Sequence, residues 1–62
     1  MTRRSHAQMA EDIGKLAWSK RTWLQSFAGV RPAHEVETRQ RELEVLEQAE
    51  ADYRRAAERV AQ

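Results

Sequence analysis

No cysteine occurs among the 62 residues, which excludes disulfides and thiolate zinc sites, the usual staples of so short a chain. Glycine occurs twice and proline once. A turn-rich β-fold is therefore disfavoured, and there is no glycine loop of the kind that cradles phosphate. No apolar run approaches the roughly 20 residues a membrane helix needs. The opening MTRRSHAQ lacks the apolar region of a secretory signal. A cytoplasmic location is the default expectation.

The residues of chemistry are equally sparse. His6 and His34 are far apart on any helical arrangement, so one chain does not bring them to a shared metal. Paired acids such as Glu42 and Glu44, or Glu47 and Glu50, belong to a solvated helix, where burial does not raise a carboxyl pKa for general acid–base work. No serine or histidine has a recognisable nucleophile context. The chain is expected to be non-enzymatic, with no catalytic residue, no metal and no cofactor.

What is present favours helix. Charged residues make up 34%, and the rest is rich in Ala, Leu and Gln. The charges are unevenly placed. Residues 1–31 hold six basic groups (Arg3, Arg4, Lys15, Lys20, Arg21, Arg31) against two acids, whereas residues 32–62 hold five against eight. Opposite signs favour the two halves lying side by side.

Ser5 followed by Gln8 reads as a capping box that starts a helix. Met9, Ile13, Leu16, Trp23 and Phe27 then recur at helical spacing, with Lys20 in the missing place and Ala10, Ala17 and Leu24 widening the stripe. Gly29 suits a left-handed C′ position, from which Val30 folds back onto Leu24. Pro32 suits the first position of a second helix, along which Val36, Leu43, Leu46, Tyr53, Ala57 and Val60 form the apolar row, interrupted by Arg39 and Glu50. So short a connection makes the helices antiparallel.

The predicted fold is all-α: one helical-hairpin domain over 1–62, with helices about 5–28 and 32–60 and with 1–4 and 61–62 frayed. It would be roughly 36 to 45 Å long at about 1.5 Å per residue. Folding about the turn brings Phe27 to Val36, Leu16 to Leu46 or Glu47, and Met9 to Tyr53, with Lys20, Arg39 and Glu50 in or beside the seam. Glu47 is the expected partner of Lys20. Two helices bury little apolar surface, so a homodimer forming a four-helix bundle is expected. Val45, Ala49, Asp52 and Ala56 offer a face for it, whose small residues permit close approach.

Two tryptophans lie five positions apart, in KLAWSKRTWLQSF (15–27). Five helical positions amount to roughly 140°, so both rings cannot face one core. Trp23 falls in the apolar stripe and Trp18 almost opposite it, near Gly14, Lys15, Arg21, Thr22 and Gln25. Glycine costs a helix about 1 kcal/mol relative to alanine and leaves a hollow beside the indole. Tryptophan and arginine are enriched at interface hot spots. These residues form the expected binding surface for another protein, with Trp18 as its anchor; the other reading open at this point is that Trp18 lies in a contact between two copies of the chain.

The alternative is nucleic-acid binding, since Arg3, Arg4, Arg54, Arg55 and Arg59 converge where the two termini meet and Trp18 could stack on a base. The stretch RELEVLEQAEADYRR (41–55), following a turn after an aromatic-containing helix, resembles small helical hairpins encoded by phages and prophages of proteobacteria. That resemblance implies an accessory protein that binds and modulates, or inhibits, a host protein. In length and architecture the chain also resembles the dimeric RNA-binding hairpin Rop. No membrane partner is expected.

Overall fold

Gln8 donates its backbone N–H to the Ser5 hydroxyl at 3.1 Å, and Ser5 donates its own to Gln8 Oε1 at 2.9 Å. This reciprocal pair satisfies two N–H groups that a helix start leaves without partners, and from it the first helix, α1, runs over His6–Phe27. The second, α2, runs over Ala33–Ala61. The computed structural model describes residues 3–61, with side chains described as far as Arg59. Expected fraying at 1, 2 and 62, and a core role for the Val60 side chain, lie outside the described residues. Arg4, placed in the frayed start, pairs with Asp12 at 2.9 Å.

The two helices pack along their lengths as an antiparallel hairpin whose extents are 45 × 23 × 15 Å. Gly14 lies against Glu50, Lys20 against Glu42 and Trp23 against Arg39. Each step forward along α1 thus matches a step back along α2, in the register that the short connection implied. Opposite charge assists the match: Lys20 meets Glu42 at 3.1 Å and Arg21 meets Glu47 at 3.3 Å across the pair. Glu47 was the expected partner of Lys20. The inward turn of α1 brings Lys20 toward Glu42 instead and leaves Glu47 to Arg21.

The connection differs from expectation. No glycine has positive φ, and Ala28 caps α1 in right-handed helical geometry at φ −57°, ψ −32°. The Phe27 carbonyl accepts from both Val30 and Arg31 at 3.0 Å. Tightened right-handed turns of this kind satisfy terminal carbonyls without a left-handed residue. Val30 is consequently exposed and does not fold back on Leu24. Pro32, expected at the first position of α2, stands one residue before it, its carbonyl accepting from Glu35 at 3.0 Å and Val36 at 3.2 Å. Arg31 reaches over it to grip Glu35 through two hydrogen bonds of 2.8 and 3.2 Å.

The main correction concerns which face of α1 turns inward. The buried residues are Ala10, Ile13 and Ala17, at 2%, 9% and 1% exposure. The row centred on Leu16 was expected there, yet Leu16 is 57% exposed, Phe27 is exposed, and Met9 and Trp23 are only half-buried. Two helices alone touch along a narrow strip, and small side chains at its centre let the backbones approach. The strip therefore follows Ala10, Ala17 and Leu24, and the larger residues are displaced to its side. On α2, Arg39, Leu43, Leu46, Glu50, Tyr53 and Ala57 are half-buried against it.

Lys20, Arg39 and Glu50 lie in this seam as expected, and each has a partner. The Arg39 guanidinium stands over the Trp23 ring at 4.9 Å, and Glu50 accepts from Arg54 at 2.6 Å. Trp23 packs in turn on Phe27 with ring centroids 5.6 Å apart. Trp23 is thus a rim residue under a cation, not a core residue.

Candidate functional site

Because Ala17 faces inward, its neighbours in sequence stand to either side. Trp18, one residue on, is rotated about 100° from the contact line, not opposite it as the expected seam required. It is 65% exposed. Its indole borders an open groove of about 670 Å³ between the helices, shared with Gly14, Lys15 and Arg21 of α1 and with Glu50 and Arg54 of α2. Four of the residues read from sequence as a binding surface are brought together here. Thr22 and Gln25 are exposed further along α1 and do not line the groove.

The hollow expected at Gly14 is occupied. A Cβ built there would lie 3.0 Å from Glu50 Oε2 and 3.3 Å from Glu50 Cδ, so the carboxylate of α2 rests on the glycine backbone of α1. The same Oε2 accepts twice from Arg54, at 3.0 and 2.6 Å. Glycine here admits the acidic group that anchors the α2 side of the groove. Glu50 and Arg54 were assigned no place beside Trp18 in the sequence, although their register opposite Gly14 followed from the antiparallel pairing.

The cations around the indole all have carboxylates. Lys15 is 3.9 Å from Glu11, Arg21 is 3.3 Å from Glu47, and Arg54 holds Glu50. The site is an exposed aromatic plate in a rim of alternating and nearly balanced charge.

At the end near the termini the arginines divide. Of the arginines grouped there from sequence, Arg4 pairs with Asp12, Arg54 with Glu50, and Arg55 with Asp52 at 2.6 Å. Arg3 and Arg59 are exposed. His6 rests against Tyr53 with ring centroids 6.0 Å apart, the place expected for Met9. At the other end, Thr38 donates its hydroxyl to the His34 carbonyl at 2.9 Å. Among the described residues no three His, Cys, Asp or Glu side chains gather as metal ligands, and no helix is long and apolar enough to cross a membrane.

The residues read as a dimer face divide. Val45 is 63% exposed, whereas Ala49 and Ala56 are half-buried, and Asp52 is exposed in its pair with Arg55. No protein-family model, curated protein or solved structure matches the chain.

Proposed function

We propose that the hairpin is a non-enzymatic protein-binding module that uses the Trp18 groove, with Trp18 as the anchor and Gly14, Lys15, Arg21, Glu50 and Arg54 around it. The observation that carries this reading is a tryptophan 65% exposed within a rim whose cations are already paired. An indole that enters an apolar socket, surrounded by charges of both signs that align with those of the other surface, is the usual anatomy of a protein hot spot. A polyanion would instead draw on cations without carboxylate partners, whose counterions are released on binding. The resemblance to phage-encoded hairpins is consistent with an accessory protein that modulates a host protein.

The test is capture and affinity measurement with wild type and Trp18→Ala side by side. The variant should keep its helical circular dichroism and lose at least about 2 kcal/mol of binding, roughly 30-fold in affinity. Equal affinity for both proteins would dismiss the groove. RNA or DNA binding that weakens steeply with salt, and that disappears when Arg54, Arg55 and Arg59 are replaced together, would favour the Rop-like alternative.

A further inference from the structure

The opposite flank carries a surface that the Trp18 groove does not use. Met9, Leu16 and Trp23 succeed one another at seven-residue intervals on α1, so helical periodicity sets them on one side. Leu16 and, from α2, Val45 and Leu46 bound an open apolar groove of about 430 Å³, with Lys20, Arg41 and Glu42 at its margin. Val45, Ala49, Asp52 and Ala56 follow at four, three and four residues on α2, and therefore continue the same side. Two heptad rows thus lie next to each other, and the larger apolar residues on them are only half-covered or exposed.

Surface area shows how far this elongated hairpin departs from a compact monomer. A compact monomer of 7.3 kDa has an accessible surface of about 4,200 Å². The hairpin presents 5167 Å², an excess of about 1,000 Å², against the roughly 800 Å² that one partner contributes to a standard interface. The margin suits a copy of itself. It carries the cations Lys20 and Arg41 and the acids Glu42 and Asp52, with Lys20 on Glu42 and Asp52 on Arg55 within the chain, so that a two-fold copy sets no block of one sign against itself.

We infer that a second copy of this chain packs on the Leu16–Trp23–Val45 flank, completing a four-helix bundle and leaving Trp18 outside it. This holds or fails independently of the partner assigned to Trp18.

Sedimentation equilibrium from about 1 to about 500 μM should show the mass rising from 7.3 kDa toward twice that value, with a melting temperature that rises with concentration as association requires. The two tryptophans report which flank is covered. In Trp18→Phe, the remaining Trp23 should become shielded from acrylamide as the dimer forms, and in Trp23→Phe, Trp18 should stay quenchable throughout. Val45→Arg changes a residue already exposed in the hairpin, so its helicity at low concentration should match wild type while its dimer dissociation constant rises at least about tenfold. A wild type that stays monomeric over the whole range overturns the inference and gives this flank to a different occupant. So does a dimer that shields Trp18 instead of Trp23, or one that Val45→Arg leaves unchanged.

Discussion

Leu16 and Trp18 are two residues apart on α1 and similarly exposed, at 57% and 65%, yet they stand in opposite surroundings. Between them is Ala17, 1% exposed at the centre of the contact. On the Leu16 side, α2 answers with Val45 and Leu46. On the Trp18 side it answers with Glu50 and Arg54, the former lying on the Gly14 backbone. One inward row of small residues creates both flanks. The chemistry of each is set by which part of α2 reaches it: an apolar heptad row in one case, an ion pair in the other. Exposure by itself therefore says little about purpose, and neighbours across the seam say more.

The inward row of α1 underlies both flanks, so substitution there has the greatest consequence. Ala17→Leu forces a branched side chain into the closest approach of the helices, and overpacking of this kind costs about 2 kcal/mol. At fixed concentration the urea midpoint should fall sharply, because both flanks lose their common spacing. A midpoint within error of wild type would mean that the helices do not meet at Ala17.

A smaller change acts on the Trp18 flank only. Gly14→Ala adds a methyl that would stand 3.0 Å from a Glu50 carboxylate oxygen, the far end of a flexible side chain that can move aside. The gain in helix propensity, about 1 kcal/mol, should outweigh that displacement and raise the thermal midpoint. Destabilisation would show that Glu50 is held firmly on the glycine by Arg54.

The smallest belongs to the Leu16 flank. Glu42→Gln removes the carboxylate that holds Lys20 at 3.1 Å and stands 3.9 Å from Arg39. With the groups partly exposed, the loss should be under about 1 kcal/mol, and it should shrink further in high salt as screening weakens the wild-type pair. A loss that persists in high salt would mean that the pair is desolvated.

Much of the fold was legible from residue order. Ser5 and Gln8 marked the start of α1, Pro32 the start of α2 to within one residue, and the short link between them the antiparallel register that sets Gly14 on Glu50 and Lys20 on Glu42. The candidate site was legible in part. Trp18 was singled out because a large aromatic broke the helical pattern, and Lys15, Arg21 and Gly14 followed by adjacency. Glu50 and Arg54 were missed because they enter from the other helix, and no local pattern in α2 distinguishes them from its other charged residues. The left-handed ending at Gly29 failed for a related reason: a glycine permits that conformation, but the chain stays right-handed at Ala28, and Val30 and Arg31 donate to the Phe27 carbonyl instead.

Capping, proline geometry and a short link act within a few residues of the chain, and they set two helices, their bounds to within a residue, and the residues that come level with one another. Only tertiary structure decided which side of α1 turns inward. Apolar periodicity identifies a broad stripe and weights it by side-chain size, whereas contact between two helices rewards the row that lets their backbones come closest. Ala10 and Ala17 take that place, and Leu16 and Trp18 are left facing away from it on the two flanks.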